Sequence, residues 1–172
     1  FYIKTFLTML KNYLFYFSVV ILLISCENKT YKNGMVVSAK HEASKVGIDI
    51  LKKGGNAFDA MIATDLALAV VYPNAGNLGG GGFMVYRLSD GKNGTLDFRE
   101  KAPINSKVDM YLDNDNEVIK GLSQNGALAV GVPGTIAGLF EIHDKFGTIP
   151  INELFQPAID LANNGYRLTK KQ

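Results

Sequence analysis

Few residues in this chain have the type and setting for chemistry, and the first is Arg99, within "DFREKAP" at 97–103. A guanidinium presents a planar fork of donors that can hold a carboxylate through two parallel hydrogen bonds. Arg99 alternates with Leu96 and Phe98 along an expected strand, so if those two side chains face a core, Arg99 shares the opposite face with Asp97. If that face lines a cleft, a substrate carboxylate is the natural ligand. The competing use is an exposed ion pair with Asp97 or Glu100, the commoner fate of a surface arginine.

The second feature is the glycine run Gly79, Gly80, Gly81 and Gly82, inside "NAGNLGGGGFMVYR". A phosphate-binding P-loop needs a Lys and a Ser or Thr after its last glycine, and here Phe83 and Met84 follow. A dinucleotide fingerprint follows a strand and opens a helix, whereas this run follows an expected helix and opens a strand. Two uses remain, a close backbone crossing and a ligand-lining loop, because glycine suits both.

Metal chemistry finds little support. "DNDNEVIKG" begins like a calcium loop, but counting from Asp113 puts Val118 where glycine is needed and Gln124 where a carboxylate is needed. A solvated turn is expected. His41 and His143 each stand without a partner at ligand spacing, and His143 borders the apolar stripe of Ile136, Leu139 and Phe140, so both read as structural.

These residues must be positioned by a fold of ordinary globular composition, 47% hydrophobic and 20% charged. "MVVSA" from Met35 is a short strand candidate. Ala43, Val46, Gly47, Ile50 and Leu51 then follow helical spacing until Gly54 and Gly55 end the run. Asn56 is placed to cap a second helix with Asp59 in its first turn, and Pro73 closes it. That helix is small and apolar nearly all round, as expected of one buried on most sides.

Beyond the glycines, "GFMVYRL" and "TLDFRE" read as the strands of a hairpin around "SDGKNG", which carries both Asp-Gly and Asn-Gly turn pairs. "ALAVGV" at 127–132 reads as a further strand, "TIAGLFEIHDKF" as a helix, and "INELFQPAIDLANNG" as a helix kinked or restarted at Pro157. Helices, then strands, then helices, without strict βαβ alternation, indicate an α+β fold or layered sandwich.

The first residues have a different grammar. The chain opens with Phe1, and Met9 is the better start. From Met9, Lys11 is followed by an apolar run over 13–25 and then Cys26, as in an export signal. A membrane span needs roughly 18–20 apolar residues, and fifteen positions separate Lys11 from Glu27. "LISC", ending in Cys26, is similar to the bacterial lipobox, whose cysteine is lipidated. Cys26 is also the sole cysteine, which excludes an internal disulfide. The expected organisation is upstream residues and a lipoprotein signal peptide at 1–25, a polar tether at 26–34 and a domain at 35–172, exported and held to a bacterial membrane on its periplasmic or cell-surface side.

Without residues 1–25 the chain loses Lys4 and Lys11 and no acid, leaving sixteen basic and sixteen acidic residues. The charges are interspersed. Nucleic acid, which selects a basic excess or stripe, is not an expected partner.

Four motifs go beyond residue types. "GMVVSAKHEASKVGIDILKKGGNAFDAMIATDLALAVVYPNAGNLGGGGFMVYR", "DFREKAP", "GVPGTIAGL" and "ELFQPAIDLANNG" stand in an order and at a spacing that resemble the large-subunit region of gamma-glutamyltranspeptidases, or glutathione hydrolases, from Gly34 to about Arg167. "KHEAS" lacks the proline often found after that histidine, and "GNLGGGG" differs slightly at its start.

The resemblance implies the N-terminal nucleophile hydrolase fold, a four-layer αββα sandwich built by a precursor that cleaves itself into two subunits. It implies that the new N-terminal threonine of the small subunit attacks the γ-glutamyl carbonyl of glutathione or a related donor, with its own amine as base. Water or an amino acid or peptide acceptor then releases the glutamyl group, and neither metal nor organic cofactor is implied. On this resemblance Arg99 matches the arginine that binds the α-carboxylate of the donor, and the glycine run matches a core crossing beside the active site. The nucleophile and most of the γ-glutamyl pocket would then lie outside these residues, so this chain alone is expected to be inert and prone to aggregate. The alternatives are an acylase of the same fold, of the cephalosporin or glutaryl type, and a non-catalytic lipoprotein.

Overall fold

A computed structural model describes residues 33–170, together with Leu10, Lys11 and Tyr13, which are helical. The chain divides into two units, Phe1–Gly34 and Met35–Gln172. Apart from those three residues the expected signal peptide lies outside the described residues, as do Cys26 and most of the tether. Among the described residues no helix is long and apolar enough to cross a membrane.

Among its described residues the second unit contains four α-helices and one hairpin: α1 (His41–Lys52), α2 (Ala57–Val71), β1 (Phe83–Arg87), β2 (Asn93–Asp97), α3 (Thr135–Phe146) and α4 (Ile151–Asn164). It is α+β, as the order of periodic segments implies.

Helix α1 buries Ala43, Gly47 and Ile50, the stripe expected from its spacing. It stops where Gly54 takes φ 95°. Gly54 N–H donates to the Leu51 carbonyl and Gly55 N–H to that of Ile50, each at 3.1 Å, satisfying carbonyls that the helix end would orphan. Helix α2 has no polar face: Ile62, Ala63, Leu66, Ala67 and Val71 are all buried. It forms the centre against which α1, α3 and α4 pack, in a core that includes Ile50, Leu139, Ile142 and Leu154.

Asn56 caps α2 as expected, accepting from Phe58 N–H at 2.8 Å and Asp59 N–H at 3.0 Å. Asp59 returns the favour to Asn56 N–H at 2.9 Å. The same carboxylate accepts from Thr148 N–H at 3.0 Å and from the Thr148 hydroxyl. The Asn56 amide meanwhile donates to the Phe146 carbonyl at 2.6 Å. A local cap thereby becomes a clasp between the start of α2 and the link from α3 to α4. Burial by itself pushes the Asp59 carboxyl up and is the largest single influence. The donors from Thr148, Asn56 and Ile149 together outweigh it and hold the group below its ordinary 3.8.

The hairpin pairs antiparallel, with Met84 opposite Leu96 and Tyr86 opposite Gly94. Its inner face is fastened by aromatic contacts, Phe58 stacking on Phe146 at 4.3 Å and Tyr86 lying 4.9 Å from Phe146. Its outer face carries exposed Phe83 and Val85.

Four expectations change. "SDGKNG" turns at its Asp-Gly pair, where Gly91 takes φ 89° and Asp90 accepts from Lys92 N–H, while Asn93 and Gly94 belong to β2. Residues 127–132 do not form a strand: Ala127–Ala129 is a short 3-10 turn, and only Val132 pairs, through a single bridge to Lys101. Val130 and Val132 are exposed, so this apolar run has no core to face. "MVVSA" alternates in exposure as a strand would but joins no ladder among the described residues, because no neighbouring strand lies beside it. Helix α4 runs through Pro157 as one element and does not restart there.

Candidate functional site

Phe98, directly after β2, organises the region around Arg99. It exchanges both backbone hydrogen bonds with Gly82, at 3.0 and 3.4 Å, which carries the ladder one pair beyond the strands. Its ring lies over Gly82 and its carbonyl and ring press on Gly134 and Gly138, so a Cβ at any of these three positions would collide with it. Gly134 and Thr135 N–H groups both donate to the Gly80 carbonyl, at 2.8 and 3.0 Å. The glycine run is therefore a close crossing between the hairpin and the start of α3. The residue types left this reading and a ligand-lining loop open, and the resemblance implied the crossing. Only Gly79, where a Cβ would meet nothing within 4 Å, is free of such contacts.

This packing leaves Arg99 pointing away from the core, on the same side as Asp97. Asp97 accepts from Arg99 N–H at 3.0 Å, which fixes the backbone where the strand ends. The Arg99 side chain is 67% exposed, with its Nε 3.6 Å from a Glu100 carboxylate oxygen and its guanidinium carbon 5.8 Å from the Phe83 ring centroid. An exposed pair at that separation contributes little. The fork is oriented and largely uncommitted. It stands at the rim of a cleft of about 190 Å3, shared with Lys101, Pro133, Gly138 and Glu141.

The remaining candidates are structural. His143 donates from Nε2 to the Ile149 carbonyl at 2.7 Å, reinforcing the α3 to α4 link. His41 opens α1 at the surface. Asp113 accepts from Asp115 and Glu117 N–H groups at 2.9 Å, a solvated turn as expected. No group of three metal-ligating side chains occurs among the described residues.

Two features escaped the sequence reading. The Gly134 and Gly138 spacing, which flattens α3 to receive Phe98, was legible as paired small residues one helical turn apart. Asp65, within α2, gave no signal. It lines a second cleft, of about 380 Å3, with Met61, Gly81, Phe83 and Val85, and burial pushes its carboxyl above 3.8.

The family model described as gamma-glutamyltranspeptidase matches residues 43–172. A glutathione hydrolase proenzyme of Pseudomonas sp. (strain A14) is 58% identical over 137 residues, which are 80% of this chain and 24% of that protein. The crystal structure of Helicobacter pylori gamma-glutamyltranspeptidase superposes with a TM-score of 0.79 at 48% identity, over 85% of this chain and 42% of that one. A cephalosporin acylase from Bacillus halodurans superposes less well, with a TM-score of 0.65 at 26% identity, over 86% of this chain and 28% of the acylase. This chain spans about a quarter of the length of the curated relatives it matches. It belongs to the gamma-glutamyltranspeptidase family and corresponds to the N-terminal region of the large subunit.

Proposed function

We propose that this chain is part of a longer precursor that hydrolyses or transfers the γ-glutamyl group of glutathione and related compounds. The observation that carries the reading is the family match across residues 43–172, combined with an arginine at the end of the hairpin whose fork is exposed and engaged only by a long, 3.6 Å pair with Glu100. In this reading Arg99 binds the α-carboxylate of the donor. The protein's part in catalysis at this end of the site is placement: two charge-assisted hydrogen bonds fix the glutamyl group so that its γ-carbonyl meets the nucleophile. That nucleophile, an N-terminal threonine released by self-cleavage, and the rest of the pocket lie outside the 172 residues, so the chain alone is inert.

The higher identity to the transpeptidase than to the acylase supports the γ-glutamyl reading over an acylase one. The test is production of the longer protein. Splitting into two subunits with release of glutamate from glutathione is expected, and an unsplit protein without that activity would overturn the reading.

Export and lipidation at Cys26 belong to the same proposal, supported by Lys11, the apolar run over 13–25 and "LISC". Metabolic labelling with a fatty acid should mark the protein, and Cys26→Ser should abolish the label.

A further inference from the structure

Arg99 shares its cleft with a second cation. Asp97, Arg99 and Lys101, alternate residues of the stretch leaving β2, all line it, and Glu100 does not, the period of two expected of an extended chain. Two anchors hold this stretch. Phe98 exchanges both backbone hydrogen bonds with Gly82, and Lys101 exchanges both with Val132, at 3.1 and 2.8 Å. Gly131 lies close beside the second anchor: a Cβ there would stand 3.1 Å from the Glu100 Cβ and 3.5 Å from the Lys101 carbonyl oxygen. The origin of the Lys101 side chain is therefore fixed by the fold, as that of Arg99 is.

The Lys101 ammonium has no resident partner. Lys101 is exposed, and no ion pair or side-chain hydrogen bond reaches its ammonium among the described residues. The two acids of the cleft are already engaged, Asp97 by Arg99 N–H at 3.0 Å and Glu141 by the Lys145 ammonium at 2.6 Å. A free ammonium beside a loosely held guanidinium suits a ligand with two separated anionic groups. Two residues of extended chain put the Cα atoms at most about 7 Å apart. Each cation rides on a long flexible stem, so the pair can reach anionic groups about 10 Å apart, the span of three extended residues.

We propose that Lys101 is a specificity residue that pairs with the glycine carboxylate of a glutathione donor while Arg99 holds the glutamyl α-carboxylate. This rests on the reading that the chain is part of a longer precursor acting on γ-glutamyl compounds. Glutathione is a tripeptide with one carboxylate at each end, which matches the two cations in number and in span. The two ends also ask for different groups. The planar fork of Arg99 imposes an orientation on the glutamyl end, whereas an ammonium is a point charge with rotatable donors that accepts a carboxylate from many directions. The glutamyl group is thus placed for reaction, and the leaving peptide is selected by charge.

Steady-state kinetics on the longer protein test this with two donors that differ in one group, glutathione and its glycine carboxamide, which keeps the shape and removes the charge. Wild type should favour glutathione about threefold in kcat/KM, the size expected of an exposed ion pair, and the preference should shrink at high salt. Lys101→Met should erase the preference, with the loss falling on glutathione. Lys101→Arg should retain it, and Lys101→Glu should reverse it. Arg99→Ala should slow both donors alike, since both carry the glutamyl α-carboxylate. Three results would each overturn the assignment: a wild type indifferent to the carboxamide, a preference that survives Lys101→Met, or equal losses for both donors in Lys101→Met. The last would place Lys101 at the glutamyl end or in the fold. Splitting into two subunits is scored on the same samples. A split enzyme that releases glutamate but ignores the glycine carboxylate fails only the Lys101 pairing, whereas an unsplit, inactive protein fails the precursor reading and the pairing with it.

Discussion

Gly81 lies directly against the backbone of Arg99: a Cβ added at Gly81 would stand 2.7 Å from both the Arg99 Cα and the Glu100 nitrogen. The glycine run and the arginine, two separate features of the sequence, are one structural unit. The crossing sets where the guanidinium starts, and Asp97 and Phe98 set its direction.

Gly81→Ala in the longer protein should therefore damage donor binding although no glycine side chain touches a substrate. Overpacking against backbone costs about 1–3 kcal/mol, and any relief moves Arg99. Gly79→Ala, with open space around it, should retain wild-type behaviour. Steady-state kinetics with glutathione and thermal unfolding distinguish the two; equal effects from both substitutions would show that the run acts through something other than this contact.

Arg99 itself should matter by geometry as well as charge. On the proposed role, Arg99→Ala removes charge-assisted hydrogen bonds to the donor that would contribute about 1.5–3 kcal/mol, so kcat/KM for the donor should fall at least tenfold, with the loss expressed mainly in KM. Arg99→Lys keeps the charge but not the fork and should recover only part of the loss. Global stability should change little in either variant, since the side chain is exposed and its pair with Glu100 is long. An unchanged donor KM in Arg99→Ala would remove the assignment.

Arg99 also shows how far the sequence carried. Its placement followed from strand alternation with Leu96 and Phe98, because a period of two is a local property of the backbone. The stripe of α1, the all-round burial of α2 and the Asn56 cap were legible for the same reason. What escaped depends on contacts distant in sequence. The strand expected at 127–132 has the right residue types, but a strand exists only where a neighbour completes its ladder, and Lys101 supplies one bridge. The clasp from Asp59 to Thr148 joins residues about ninety apart, and no period in the sequence encodes such a meeting. Asp65 is invisible for a related reason, since a single acid on an apolar helix acquires meaning only from what the fold places opposite it.

That clasp makes a prediction about pH. The Asp59 carboxyl is lower in the folded than in the unfolded protein, so its ionised form stabilises the fold at pH values above the ordinary 3.8. That contribution declines as pH falls below this value toward the folded pKa. Asp59→Ala would orphan the donors of Asn56 and Thr148 and should cost about 3 kcal/mol near neutral pH. The difference from wild type should shrink in acid, where Asp59 is protonated in both states. Thr148→Val should give a smaller loss with the same trend. Thermal unfolding from pH 3 to 7 measures both, and a pH-independent gap would show that Asp59 acts by packing alone.

The outer face of the hairpin makes the last prediction, about residues 35–172 produced alone. Phe83 and Val85 form an apolar stripe along an edge whose outward backbone groups have no strand partner among the described residues. An exposed flat edge of this kind templates pairing between copies. The isolated segment should bind a hydrophobic dye and scatter light increasingly with concentration. Val85→Lys places a charge on that stripe, outside the core and without altering the inner face of buried Met84 and half-buried Tyr86, so it should suppress scattering while leaving the far-ultraviolet circular dichroism intact. In the longer protein the same substitution should have the opposite consequence, lowering the unfolding temperature, because the face is then covered and the lysine has to be buried or displaced. A benign effect in both contexts would mean that this face is solvent-facing in the complete molecule, and that the aggregation of the segment arises elsewhere.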